Sequence, residues 1–148
     1  MKNKLKIHFS SQKSDWETPD DLFNRLNREF HFTIDVCATK NNAKLPRYIT
    51  PTANFLDCIF TKRNRCFMNP PYGREISKFI KHAYEQSKYG TLFVCLLPSR
   101  TDTKWFHEYC LKGEIRFLKG RLKFKGAKNS APFPSMIVIF KTLKGKKK

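Results

Sequence analysis

The chain has 148 residues, enough for one domain with a real core and little room for a second module. It carries 30 Lys and Arg against 12 Asp and Glu, a formal net charge of +18, so the favoured partner is a polyanion, nucleic acid ahead of an anionic membrane surface. No apolar run approaches the roughly 18–20 residues of a membrane span, and the basic start Met1-Lys2-Asn3-Lys4 is followed by no apolar signal-peptide core.

The five cysteines are odd in number and none has CxxC spacing, and the four histidines show no metal-ligand spacing. The pattern suits small apolar thiols in a reducing compartment and suggests neither a disulfide frame nor a metal site. Residues 1–14 read as a flexible basic arm, 15–141 as one folded domain and 142–148 as a basic tail ending Lys144-Gly145-Lys146-Lys147-Lys148.

Thr18-Pro19-Asp20-Asp21 predicts a helix start: a hydroxyl cap, proline at the first helical position and acids in the first turn. Leu22, Phe23, Leu26 and Phe30 follow on one face. Phe32–Val36 reads as a short buried strand ending near Asp35. Between Thr39 and Asn64 the pattern is weakest, with short strands expected at Arg47-Tyr48-Ile49 and Asn54-Phe55-Leu56. The apolar run Cys66-Phe67-Met68 leads into Asn69-Pro70-Pro71-Tyr72, after which Ile76, Phe79, Ile80 and Ala83 mark an amphipathic helix.

Thr91 to Leu97 is a continuous apolar strand closed by Pro98. Thr101 or Asp102 caps a further helix with Trp105, Phe106, Tyr109 and Cys110 on its apolar side. Strands at Ile115–Leu118 and Met136–Phe140 finish the domain, joined by a long basic connection. Strands alternating with helices predict an α/β fold, a mostly parallel sheet with helices on both faces. Ligands of such sheets sit beyond the carboxyl ends of the strands, where Asp35 and Asn69 are expected.

Two prolines at Pro70 and Pro71 fix two φ angles and supply no N–H, so the loop after Met68 is stiff. It presents an amide, a free carbonyl and an aromatic ring, a set suited to gripping a planar amine such as a nucleobase.

These pieces, in order, resemble a family. Asp15-Trp16-Glu17-Thr18-Pro19, Ile34-Asp35-Val36-Cys37-Ala38, Asn69-Pro70-Pro71-Tyr72-Gly73, Leu97-Pro98-Ser99-Arg100-Thr101-Asp102-Thr103, Gly120-Arg121-Leu122-Lys123-Phe124 and Ala131-Pro132-Phe133-Pro134-Ser135 look like the bacteriophage-type, Dam-like DNA adenine-N6 methyltransferases. The resemblance runs from about Asp15 to Phe140. It implies a Rossmann-like class I fold with an antiparallel last strand, S-adenosylmethionine as cofactor, and DNA, double-stranded, as partner. A phage or prophage origin and action in the bacterial cytoplasm are implied with it.

By motif, Asn69, Pro70, Pro71 and Tyr72 carry catalysis, and Thr18, Pro19, Asp35 and Asn54 contact the cofactor. The glycine-rich loop common after the first strand of methyltransferases is absent, with Asp35-Val36-Cys37-Ala38 in its place. No acid for the ribose hydroxyls stands out.

Asn69 Oδ1 and the Pro70 carbonyl are expected to accept the two N6–H groups of adenine, aiming the lone pair at the methyl donor. Tyr72 is expected to stack on the flipped base, with Phe124 or Phe133 as a second ring. The DNA is expected across Arg116, Lys119, Arg121, Lys123, Lys125 and Lys128, with Arg100 and Lys104 near the same rim. The alternatives are a methyltransferase for RNA or another planar amine, and a catalytically silent DNA-binding domain of the same fold.

Overall fold

The computed structural model describes residues 16–142, so the expected arm at 1–14 and nearly all of the tail at 142–148 lie outside the described residues. Five strands form one sheet: β1 (Ile34–Asp35), β2 (Arg65–Met68), β3 (Leu92–Pro98), β4 (Glu114–Phe117) and β5 (Ser135–Phe140), in spatial order β1-β2-β3-β5-β4. β1, β2 and β3 pair in parallel, whereas β5 runs antiparallel to both β3 and β4. The sheet is therefore mixed, with β5 alone opposing the common strand direction. The helices are α1 (Asp20–Phe30), α2 (Ile76–Ser87) and the short α3 (Lys104–Glu108).

Register and ring contacts place the helices on opposite faces. Side chains alternate along a strand, so Phe67 and its partner Val94 share one face, and Cys66 and Phe93 the other. Phe67 meets Phe23 of α1 and Phe32, ring centroids 5.1 and 5.5 Å away. Phe93 meets Phe55 and Phe60, and its register partner Phe140 meets Tyr84 of α2. Every residue of β3 and β5 is buried, as their unbroken apolar runs require of strands covered on both sides.

α1 buries Leu22, Phe23, Leu26 and Phe30, the stripe read from the sequence. Its start differs by one residue from expectation: Pro19 occupies the cap position and no side chain caps the helix. The Thr18 hydroxyl is instead bonded to Asn69, so a tertiary partner has displaced the local cap. The last short helix is likewise capped by Thr103, whose Oγ1 accepts from Phe106 N–H at 3.2 Å, rather than by Thr101 or Asp102.

In the weakly patterned stretch, Arg47–Ile49 does run beside β1 through a bridge between Asp35 and Tyr48. Asn54–Leu56 is not a strand. Asn54 takes φ 61° and its side chain accepts from Leu56 N–H, which starts a 3₁₀ turn at Phe55–Asp57. Asparagine tolerates that left-handed backbone and hydrogen-bonds its own turn, an outcome apolar patterning does not report. Among the described residues no helix is long and apolar enough to cross a membrane.

Gly113 joins the second 3₁₀ turn, Cys110–Lys112, to the edge strand β4. A Cβ there would lie 2.7 Å from the Ile139 carbonyl oxygen and 2.9 Å from Phe140 Cδ1. Gly113→Ala should therefore cost about 1–3 kcal/mol through overpacking. The expected observation is a lower urea midpoint with an unchanged m-value.

Candidate active site

β1 and β2 are parallel neighbours, so their carboxyl ends emerge side by side. Asp35 is the last residue of β1 and Asn69 the first after β2. Beside them lies a cavity of about 390 Å³, a size that suits one small molecule. Thr18, Asp35, Asn54, Asn69, Pro70 and Pro71 all border it, together with the apolar Ile49, Phe55 and Phe79. Six residues separated by up to 53 positions in the chain thus meet around one space. Pro19 and Tyr72 are not in its lining; the Pro19 carbonyl accepts the Phe23 N–H at the opening of α1.

The Asn69 amide is held from one side. Its Nδ2 donates to the Trp16 carbonyl at 2.6 Å and to Thr18 Oγ1 at 3.0 Å. A carbonyl oxygen can only accept, so the atom facing Trp16 must be the nitrogen. Oδ1 is left buried with no hydrogen-bond partner. Native structures rarely leave such an acceptor unpaired, because its desolvation is uncompensated. Pro70 is buried beside it and Pro71 is exposed.

Asp35 is 3 % exposed. Oδ2 accepts from the Lys44 backbone N–H at 3.0 Å and Oδ1 from that of Cys37 at 3.4 Å. Burial nevertheless dominates and pushes the carboxyl up to about 6, with the two N–H donors only partly offsetting it. The Lys44 ammonium is turned elsewhere, onto Asp20 at 2.7 Å and Glu17 at 3.4 Å. No cation among the described residues forms an ion pair with Asp35. Cys37, the one cysteine bordering the cavity, has its thiol raised by burial and so is poorly suited to act as a thiolate.

Tyr72 is buried, its hydroxyl donates to the Leu96 carbonyl at 3.2 Å, and burial pushes its pKa up, so the phenol stays protonated. Its ring meets Phe133 at 5.7 Å and Phe124 at 6.5 Å, both edge-on. Trp16 closes the cluster against the same two rings at 5.2 and 5.3 Å. Phe124 is 2 % exposed and packs in the core. In this conformation the Tyr72 ring is covered by neighbouring aromatics, so a base reaches it only if those contacts open.

The expected DNA-contacting cations fall into two groups. Arg116 is gripped by Glu29 through two contacts of 2.8 Å and by Glu114 at 2.8 Å, which raises its already high pKa further. Lys125 pairs with Asp20 at 3.0 Å, and the lone ion pair of Lys104 is a loose, exposed one with Glu108 at 3.8 Å. Lys119, Arg121, Lys123 and Lys128 are exposed and form no ion pair among the described residues. Arg100 is exposed with its guanidinium 6.0 Å from the Phe133 ring.

Two contributors carried no assigned role in the sequence reading. Trp16 lay in a quoted motif, but it is its backbone carbonyl that holds Asn69. Lys44 gave no signal because it acts on Asp35 through its backbone N–H. Among the described residues no group of three or more His, Cys, Asp or Glu is placed to hold a metal ion.

Asp35 sets a pH dependence of stability. Its ordinary pKa is 3.8 and its folded value about 6, so the folded chain binds this proton more tightly than the unfolded chain. The resulting stabilisation is complete below about pH 4 and is lost as pH rises through about 6, a total of about 3 kcal/mol for two pKa units. Urea unfolding between pH 4 and 7.5 should show wild type losing about that much relative to Asp35→Asn.

A family model described as DNA N-6-adenine-methyltransferase (Dam) matches residues 7–148. The chain is also 31% identical over 142 residues to a DNA N-6-adenine-methyltransferase of Haemophilus phage HP1 (strain HP1c1), covering 88% of this chain and 80% of that protein. With nearly the whole chain matched, and with the motif residues Asp35 and Asn69 brought to the rim of one cavity, the chain belongs to the DNA N-6-adenine-methyltransferase (Dam) family.

Proposed function

We propose that this chain carries out its family's reaction, methylation of adenine N6 in DNA, at the Asn69 end of the cavity, with S-adenosylmethionine bound in the remainder. The observation that carries this reading is the Asn69 Oδ1 acceptor, buried and unpartnered at the border of a cavity of small-molecule size. A Rossmann-like class I architecture is supported by the rim position of the site and by the reversed β5 lodged between β3 and β4.

The residues present suit the cofactor. At neutral pH Asp35 is a buried carboxylate without a cationic partner, a fitting seat for an ammonium group. Asn54 and the apolar walls of Ile49, Phe55 and Phe79 suit a flat adenine and its ribose. The bound cofactor supplies an electrophilic methyl group on a sulfonium.

Asn69 Oδ1 and the Pro70 carbonyl each accept one N6–H of the target adenine. Drawing both hydrogens from the ring plane would localise the nitrogen lone pair for a direct displacement, in which the methyl–sulfur bond of the cofactor would break, its electron pair staying on sulfur, as the N–C bond forms. The surplus N6 proton leaves to solvent. Rate comes from positioning and from a fixed dipole, with no covalent enzyme intermediate. The poorly ionising Cys37 thiol agrees with that. Trp16, Tyr72, Phe124 and Phe133 offer an aromatic lodging, where base–ring stacking of about 1–3 kcal/mol replaces ring–ring contacts. That gain offsets part of the cost of flipping, itself a few kcal/mol.

Lys119, Arg121, Lys123 and Lys128 form the electrostatic path for the DNA backbone, with Arg100 beside it. The phage source of the relative supports action in a bacterial host cytoplasm.

Protein incubated with S-adenosylmethionine and duplex DNA should yield N6-methyladenine by nucleoside mass spectrometry. Asn69→Ala should lower kcat by at least about 10²-fold while leaving DNA affinity within about twofold. Full activity in that variant would overturn the reading. With four cations of the basic connection forming no ion pair among the described residues, the log–log salt dependence of DNA binding should have a slope of about −3.6, from about −0.9 per phosphate. A filter-binding titration across salt checks this, and Lys123→Glu should flatten the slope by about one.

A further inference from the structure

We propose that Thr18 is a positioning residue for methyl transfer, one half of a lock that dictates which end of the Asn69 amide faces the cavity. The inference rests on the Asn69 reading above and adds to it how that residue is kept competent. An amide side chain is nearly symmetric in shape, and a half-turn about its last bond exchanges oxygen for NH₂. With NH₂ toward the cavity, the group would meet the adenine amine donor to donor, and the site would repel its substrate. Some feature of the chain must therefore forbid the flip.

The Trp16 carbonyl does so, and the Thr18 hydroxyl anchors the orientation so set. The Trp16 carbonyl, 2.6 Å from Nδ2, has no proton to give, so a flipped oxygen there would face another oxygen. Thr18 Oγ1, 3.0 Å away, takes the second Nδ2 hydrogen. With both N–H groups engaged, the amide has only its oxygen to offer the cavity, and that oxygen is the buried atom without a partner. Thr18 is 2 % exposed, and its hydroxyl, which does not cap α1, is given to this contact.

Its position at the cavity border would otherwise suggest a direct cofactor contact. The two roles separate experimentally. If Thr18 acts through Asn69, removing its hydroxyl frees one N–H and loosens the amide, and catalysis suffers while cofactor binding does not.

Thr18→Val should lower kcat about tenfold at saturating S-adenosylmethionine. Its cofactor Kd by calorimetry should stay within about twofold, and Thr18→Ser should recover most of the loss. In wild type, both Asn69 side-chain N–H signals should be protected from hydrogen exchange in the NMR spectrum. One of them should lose protection in Thr18→Val, or in Thr18→Ala should the valine variant fold poorly. Cofactor affinity about tenfold weaker with kcat retained would overturn the proposal and make Thr18 a ligand. Unchanged exchange protection in the variants would overturn it as well. An active Asn69→Ala enzyme, alongside the expected protection in wild type, would instead overturn the catalytic reading of Asn69 and with it the role of the lock in methyl transfer.

Discussion

The hydrogen bonds from Asn69 Nδ2 to the Trp16 carbonyl and to Thr18 Oγ1 tie the chain's first described segment to the carboxyl end of a central strand. Those contacts span more than 50 residues of sequence, and they position three things together. They seat the segment that leads into α1, they close one side of the cavity, and they leave the amide's acceptor buried without a partner at its border. An amide satisfied at its nitrogen and unsatisfied at its oxygen is a polarised object, in a place where desolvation makes the missing partner costly. The two prolines that follow keep the loop from relaxing around that vacancy, because neither contributes an N–H that might fill it.

The same economy governs the charges. Asp35 forms no ion pair among the described residues even though the protein has 30 Lys and Arg, because Lys44 sends its ammonium to Glu17 and Asp20 and gives Asp35 only a backbone N–H. A buried carboxylate in that state resists ionisation and attracts a positively charged ligand in equal measure. Glu17 and Asp20 also hold Lys125, whose own backbone N–H bonds the Glu17 carbonyl. The basic connection is thereby moored to the segment that holds Asn69. Overall basicity is an imperfect guide to free positive charge for this reason: Arg116 and Lys125 are paired within the fold, whereas Lys119, Arg121, Lys123 and Lys128 form no ion pair among the described residues.

Much of this was written in local sequence. The apolar periods of α1 and α2 and the continuous runs of β3 and β5 are properties of single segments, and burial follows from them directly. The stiffness of Asn69-Pro70-Pro71-Tyr72 and its place after a strand are local too, as is the excess of positive charge. The motif order was sufficient to point at the family. Where local chemistry and tertiary contact competed, reading by segment was less informative. Thr18 has every attribute of a helix cap, and Asn54-Phe55-Leu56 has the apolar content of a short strand.

Only the folded chain settled those contests, because each depends on a partner distant in sequence or on a backbone angle that composition does not encode. Thr18 faces Asn69, Asn54 adopts a left-handed turn, and Tyr72 is roofed by rings from two other segments. The sequence by itself determined the longer helices and strands and the chemistry of the side chains at hand, since propensity, periodicity and residue chemistry act over a few positions. The tertiary structure alone decided which of those groups meet, which cations are neutralised, and which end of one amide is left without a partner. Those outcomes rest on hydrogen bonds and burial between segments that only the closed sheet brings together.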